Sequence, residues 1–221
     1  DAEVSSVFKL PHRGRKHLIA RWNSLLGSIG VDPDAHFRTL DDLLIRYSEP
    51  QRVYHTLSHV ATLFALLPDG HSERAALEFA VWFHDAVYDP TRNNNEEESA
   101  ALARARLGEM GLPEPLIVGV EQLIWATQTH QATDPATALF LDADLSILGS
   151  DAETYDRYAR AIREEYIWIP LELYRAGRAK LLEGFLRRER IYKTERFLRL
   201  ETPARVNLER ELGVLKSVPA H

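Results

Sequence analysis

Three short stretches of the sequence contain at least two histidine or aspartate residues each, and the first is YHTLSH, residues 54–59. It places His55 and His59 four residues apart. On an α-helix this spacing puts both imidazoles on one face, one above the other. Two histidines on an exposed helix surface show the same spacing, so this stretch alone leaves both interpretations open.

The second stretch is AVWFHDAVYD, residues 80–89, where His84 and Asp85 are adjacent at the end of an apolar run. Apolar runs form the core, and ionisable groups are costly to bury unless they are paired or bind a cation. The pair therefore indicates a metal site. The alternative is that Asp85 caps a neighbouring helix while His84 is a core histidine with its hydrogen bonds satisfied.

The third stretch is FLDADLSILG, residues 140–149, which holds Asp142 and Asp144 in another apolar segment. One of these carboxylates could instead be the N-cap of the following turn. The chain has no cysteine, which excludes disulfides and thiolate metal sites. Histidine and carboxylate ligands together suit a divalent cation from the group Mg, Mn, Fe, Ni, Co and Zn.

The elements that must position these residues are predicted to be helices. Apolar residues recur at three- and four-residue spacing, and no stretch longer than a few residues alternates strictly. Ser72 is a plausible N-cap for the apolar segment that holds His84. The fold class predicted is an all-α, single-domain helical bundle over residues 1–221, with helical segments at 16–30, 34–50, 54–70, 72–89, 95–111, 113–130, 151–170, 170–189 and 204–215 and a short apolar segment at 138–149.

Composition limits the partners. The formal net charge is −6 at pH 7, which argues against a protein that coats nucleic acid or an anionic membrane. No apolar stretch approaches the ~20 residues that span a bilayer. The first residues lack the charged-then-apolar pattern of a signal peptide. These observations predict a cytoplasmic protein with no membrane contact and no stable nucleic-acid binding, and they leave a homo-oligomer open.

The order His, then His-Asp, then Asp on successive helices resembles the HD superfamily of metal-dependent phosphohydrolases. YHTLSH and ADLS resemble segments of the cyclic-nucleotide phosphodiesterases in that superfamily. The chain is more similar still to a group of bacterial predicted HD phosphohydrolases, marked by YH…H, WFHDAVYD, NE..SA, AT..H, LDADLSILG, IR.EY and YR.GR. These motifs run from about residue 50 to 180 and so cover most of the chain.

The resemblance implies that His59, His84, Asp85 and Asp144 are metal ligands. Asp144 is preferred to Asp142 because it precedes Leu-Ser in the matching pattern. The resemblance also implies that His55 faces the substrate, as a general acid for the leaving oxygen or as a phosphate contact. A metal ion lowers the pKa of its bound water from 15.7 to nearer 7, which gives hydroxide at neutral pH. Asp85 or Asp144 would orient that hydroxide for attack.

Substrate contacts are predicted where polar side chains lie inside the matching motifs. Thr127 and His130 occur where many HD proteins carry a further histidine, for a second metal or the phosphate; a polar helix end facing solvent is the alternative. Glu96 is a candidate base or simply favours its helix N-terminus. The cationic candidates, each of which could equally be a solvated surface residue, are Arg52, Arg163, Arg175, Arg178 and Lys180, with Arg163 and Arg178 preferred.

The segment 157–199 carries about twice as many basic as acidic residues. Arg157, Arg160 and Arg163 form one helical row, and Arg175 and Arg178 form another. If these rows turn inward, they form an anion site above the metal.

The sequence thus predicts a metal-dependent phosphohydrolase acting on a nucleotide or other small phosphate ester, with mononucleotides favoured. The alternatives are a non-catalytic metal- or nucleotide-binding sensor and a di-metal oxygenase, for which His130 would matter most.

Overall fold

A computed structural model of the protein describes residues 8–217. Those residues contain α-helices and short 3-10 helices and no β-strand, which confirms the all-α fold class. None of the described helices is both long and apolar enough to cross a membrane. The α-helices are α1 (His12–Ser28), α2 (Phe37–Arg46), α3 (Leu57–Leu66), α4 (Arg74–Phe83), α5 (Asn95–Glu109), α6 (Glu114–Thr129), α7 (Pro135–Asp144), α8 (Ala152–Glu165), α9 (Leu171–Leu186) and α10 (Glu201–Ser217).

Helix α4 is the central element of the bundle. Every residue from Leu77 to Phe83 is buried, and the helix packs against α3, α5 and α6. A helix that is apolar nearly all round is stable only when neighbours cover every face. Trp22 of α1 meets Phe79 and Trp82 edge-on, with ring centroids 6.0 and 5.5 Å apart. The buried apolar side chains form a cluster to which each of the ten α-helices in residues 8–217 contributes.

Two helix starts differ from the predicted ones. Helix α3 begins at Leu57 because the Thr56 hydroxyl accepts a hydrogen bond from the Ser58 N–H, which makes Thr56 the N-cap. His55 therefore lies before the helix, and the prediction that His55 and His59 share one helical face is wrong. Helix α4 begins at Arg74 with Glu73 at the N-cap position, so Ser72 is not the cap.

The ADLS segment joins α7 to a 3-10 helix, Leu145–Gly149. Helix α7 starts at Pro135, where the Asp134 carboxylate accepts a 2.8 Å hydrogen bond from the Thr137 N–H. The 3-10 helix packs against α10, and Gly149 lies where a Cβ atom would come within 2.6 Å of the Leu200 Cβ. This close packing fixes the chain direction directly after Asp144.

Candidate metal centre

Three buried or half-buried side chains from three different helices converge on one point. His59 comes from the first turn of α3, His84 from the C-cap of α4, and Asp144 from the last residue of α7. The His59 Nε2 atom lies 3.2 Å from His84 Nε2 and 3.1 Å from Asp144 Oδ1. Ligand atoms of all three lie within 4.8 Å of one another, so the group could hold a metal ion.

Asp85 adds a fourth candidate ligand beside this group. Its Oδ2 atom lies 3.0 Å from His84 Nε2 and 3.7 Å from His59 Nε2. With metal–ligand bonds of about 2.1 Å, neighbouring ligand atoms lie about 3.0 Å apart in an octahedron and about 3.4 Å apart in a tetrahedron. Three of the separations, at 3.0 to 3.2 Å, fall in that range, and two, His59–Asp85 and His84–Asp144, are longer at 3.7 Å. The nitrogen and oxygen donors present therefore fit a divalent cation.

The orientation of His84 favours coordination through Nε2. Its Nδ1 atom lies 3.1 Å from the Val81 carbonyl oxygen, to which the Nδ1–H donates. A neutral imidazole has one N–H, so this hydrogen bond leaves the Nε2 lone pair facing the aspartates. Ligand histidines in metalloproteins commonly have their second ring nitrogen fixed in this way.

The electrostatics of the group favour a positive charge at its centre. Burial lowers the pKa of His84, but the neighbouring charges of Asp85 and Asp144 outweigh it and raise that pKa to about 9. Burial raises the pKa of both carboxyls, yet the histidines around them hold each pKa below its ordinary value. The negative charge of the two aspartates stabilises a proton on the buried imidazole, and the same charge attracts a divalent cation.

His55 lies beside the cluster and is held by a buried carboxylate. The Glu165 Oε2 atom lies 2.7 Å from His55 Nδ1 and accepts a 2.8 Å hydrogen bond from the Tyr88 hydroxyl. Glu165 Oε1 accepts the backbone N–H groups of Val53, Tyr54 and His55 at 2.8, 2.8 and 3.0 Å. One side chain thus fixes both the loop that carries His55 and the direction of its ring.

The Glu165 carboxylate also changes the acidity of His55. Burial lowers the pKa of His55, but the charge and hydrogen bond of Glu165 outweigh it and raise the pKa above the usual 6.5. An imidazole with this tendency to stay protonated can donate a proton to a neighbouring oxygen. The sequence reasoning did not find Glu165, although it lies in the IREEY motif, two residues after the preferred Arg163.

The structure places Arg52 behind the centre and not in its cavity. Its Nη1 atom donates to the carbonyl oxygens of His55 and Asp85, at 3.1 and 2.7 Å, and its Nη2 atom donates to that of Ala86. The side chain is fully buried. Arg52 therefore ties the backbones of two site segments together, because its donors bond three carbonyl groups and, through Nε, the Glu49 carboxylate. This position does not match the predicted phosphate contact.

A cavity of about 540 Å³ opens beside the cluster, and Asp85, Asp144 and His55 line one end of it. Thr127 and His130 line it as well. The Thr127 hydroxyl donates to the Ile124 carbonyl within its own helix. His130 ends α6 in the left-handed conformation, with φ of 52°, and burial lowers its pKa. Both residues thus line the cavity, and His130 is outside the three-residue ligand group.

The arginine rows do not turn into the cavity as a set. Arg157 pairs with Glu153 within α8, and Arg175 pairs with Glu172 within α9. Arg160 and Lys180 are exposed. These pairs are three and four residues apart, each within one helix, so the sequence could have shown them; it could not show whether a row faces the cavity, which depends on helix packing.

The two preferred arginines have different positions. Arg163 donates to the Tyr166 and Ile169 carbonyl oxygens and does not line the cavity, so its position does not match the predicted phosphate contact. Arg178 does line the cavity. Its Nε and Nη2 atoms donate to the two carboxylate oxygens of Glu211, at 2.8 and 3.0 Å.

Asp142 has a structural position that separates it from Asp144. Its two oxygens accept the backbone N–H groups of Lys193 and Thr194 and the Thr194 hydroxyl, at 2.7 to 3.0 Å. The side chain points away from the cluster, toward the segment that follows α9. Asp142 therefore anchors that segment and does not cap the turn after α7.

Comparisons of the chain with protein-family models, curated proteins and solved structures find no match.

Proposed function

We propose that the protein is a metal-dependent phosphohydrolase of the HD type that acts on a small phosphate ester. The observation that carries the proposal is the convergence of His59, His84 and Asp144 at one end of a cavity. Asp85 lies within 3.0 Å of the same group, and His55 stands beside it. The order of these residues in the chain is also the order in the HD motifs.

A divalent cation bound there supplies a water of lowered pKa and offsets charge on phosphate oxygens. His59 and His84 would hold it through their Nε2 atoms, and Asp85 and Asp144 through one carboxylate oxygen each. Asp85 is 21% exposed, more than either histidine, and it lines the cavity. This carboxylate can therefore accept a hydrogen bond from an attacking water as well as contact the cation.

His55 is the candidate general acid. Glu165 holds its Nδ1 atom, which leaves Nε2 as the atom that can reach a substrate. The raised pKa of His55 keeps a proton available near neutral pH, and a positioned acid of this kind contributes about 10²–10⁴-fold to a rate. Protonation of the leaving oxygen by His55 would complete cleavage of the ester bond.

A phosphate-release screen tests the proposal. The chain is supplied with each cation in turn and offered nucleotides, sugar phosphates and aryl phosphates. We expect release with at least one pairing, and about 10²–10⁴-fold slower release by His55→Ala. His17→Ala changes an exposed histidine of α1 and is the matched control. Metal binding without release from any ester would contradict the proposal and favour the sensor alternative.

A further inference from the structure

The cavity beside the metal centre has two chemically different ends. The end formed by α8, α9 and the 3-10 helix after α7 is lined mostly by aliphatic and aromatic side chains, with Arg178 as its one charged residue among residues 8–217. It includes Ile147, Ile162, Tyr158, Tyr174, Leu182 and Phe185. A phosphate group needs cations and N–H donors, so this end suits a different part of the substrate.

Apolar side chains at the mouth point to the same kind of ligand. Leu173 and Leu181 both line the cavity, and they are 66% and 48% exposed. They lie two helical turns apart on α9, with Gly177 midway between them. Exposed leucines at the mouth of a cavity leave apolar surface in water until a ligand or partner covers it.

The charges that line the cavity match one phosphate group. Arg92 and Arg178 face three carboxylates, those of Asp85, Glu96 and Asp144. With His55 protonated as the proposed acid, three positive and three negative groups balance, and a divalent cation adds two positive charges, which one phosphate monoester dianion would match. Arg178 is further neutralised by its two hydrogen bonds to Glu211. A di- or triphosphate would bring several negative charges to a cavity with no further cation to meet them.

Gly177 is a position in the cavity lining where a larger side chain would reduce the room at the apolar end. It lies inside α9 and lines the cavity, and a Cβ atom built on it would meet nothing within 4 Å. Glycine in a helix interior costs about 0.5–1 kcal/mol relative to alanine. Packing does not require this glycine, because no neighbouring atom approaches it. The position remains open as part of the cavity.

We propose that the substrate is a phosphate monoester whose leaving group is an uncharged, ring-sized apolar body that lies against α9, with Gly177 setting the space for it. This inference rests on the proposed phosphohydrolase function for the phosphate end only. The apolar end is formed by side chains of α8 and α9, so binding of an apolar ligand to it can be measured without turnover.

The kinetic test compares 1-naphthylmethyl phosphate with glycerol 3-phosphate, both esters of an aliphatic alcohol, on the full chain with its cation. We expect kcat/KM at least about 10-fold higher for the naphthylmethyl ester, because even one methylene in an apolar pocket is worth about 10–200-fold. Gly177→Leu should lower kcat/KM for the naphthylmethyl ester by at least about 10-fold, with a change under about 2-fold for glycerol 3-phosphate. Gly184→Leu, on the same helix, with no atom within 4 Å and outside the cavity lining, should leave both unchanged.

A binding test separates this inference from the proposed function. Calorimetric titration with 1-naphthylmethylphosphonate, which has no ester bond to cleave, should show binding that Gly177→Leu weakens at least about 10-fold and Gly184→Leu does not. That result in a protein that releases no phosphate would support the apolar end and refute the phosphohydrolase. Hydrolysis with equal kcat/KM for the two esters, or phosphonate binding insensitive to Gly177→Leu, would overturn the inference.

Discussion

Glu165→Gln removes one charge from the side chain that positions His55 and changes its volume little. In the wild type, the two oxygens of Glu165 accept three backbone N–H groups, the His55 Nδ1–H and the Tyr88 hydroxyl. An amide keeps one oxygen and turns the other position into a donor. The new N–H donor faces the His55 Nδ1–H and the Tyr88 hydroxyl, which both donate to Glu165 in the wild type. Two donors facing each other cannot form a hydrogen bond, so at least one of these contacts is weakened.

The size of the effect follows from the pKa of Glu165. Burial raises that pKa, but the charge and hydrogen bond of His55 and the backbone N–H groups outweigh it and lower the pKa from 4.5 to about 2. The residue is 3% exposed, so solvent screens these interactions little. At 1.36 kcal/mol for each pKa unit, ionised Glu165 stabilises the fold by about 3 kcal/mol.

Because the folded-state pKa lies below the ordinary value, this stabilisation is complete above pH 4.5 and disappears as pH falls through 2. Glutamine resembles the protonated acid, so the variant and the wild type should converge in acid. Urea unfolding should show Glu165→Gln to be less stable by about 3 kcal/mol at pH 7 and by about 1.5 kcal/mol at pH 3.

The control for this experiment is Glu164→Gln, which removes the same charge from the exposed neighbour. It should change the free energy of unfolding by less than about 0.5 kcal/mol at either pH. The reasoning would be refuted if Glu165→Gln matched this control at pH 7. A deficit that stayed constant between pH 7 and pH 3 would refute the electrostatic part of it.

Three further predictions concern other parts of the site and fold. His55→Ala should keep the bound cation while turnover falls by about 10²–10⁴-fold, whereas His59→Ala should lose the cation; equal metal loss would make both residues ligands. Gly149→Ala should lower the free energy of unfolding in urea by about 1–3 kcal/mol, because the new methyl group overlaps Leu200. Gly213→Ala, where a methyl group meets no atom of residues 8–217 within 4 Å, should raise that free energy by about 0.5–1 kcal/mol. Asp142→Asn should cost about 1–3 kcal/mol by the same measurement and leave metal content unchanged, since its carboxylate accepts hydrogen bonds from three donors and lies outside the ligand group.

The helical fold was predictable because its signal is local. Leu18, Trp22, Leu25 and Leu26 of α1 follow helical spacing, and all four are buried. Helix ends were less predictable, since a single local hydrogen bond can move one, as at Thr56. The Thr56 hydroxyl starts α3 one residue after His55, and the apolar periodicity runs through that point without a break.

The partners within the site could not be predicted, because they are distant in sequence. Glu165 contacts a histidine 110 residues away, and Arg178 pairs with Glu211 33 residues further along the chain. Each contact depends on how α8, α9 and α10 pack, and spacing along one helix carries no information on that. The same limit explains Arg52, whose carbonyl partners belong to two separate segments.

The metal content of the purified chain tests the central claim most directly. The protein is equilibrated with Mn, Fe, Co, Ni or Zn, freed of unbound metal by gel filtration and measured by mass spectrometry. The arrangement of His59, His84, Asp85 and Asp144 predicts close to one ion per chain for at least one cation. Asp85→Ala and Asp144→Ala should each hold less than about a tenth of that, with helical circular dichroism retained because the core packing is untouched. A wild-type chain that binds none of these cations, or an Asp144→Ala chain that binds a full equivalent, would contradict the claim.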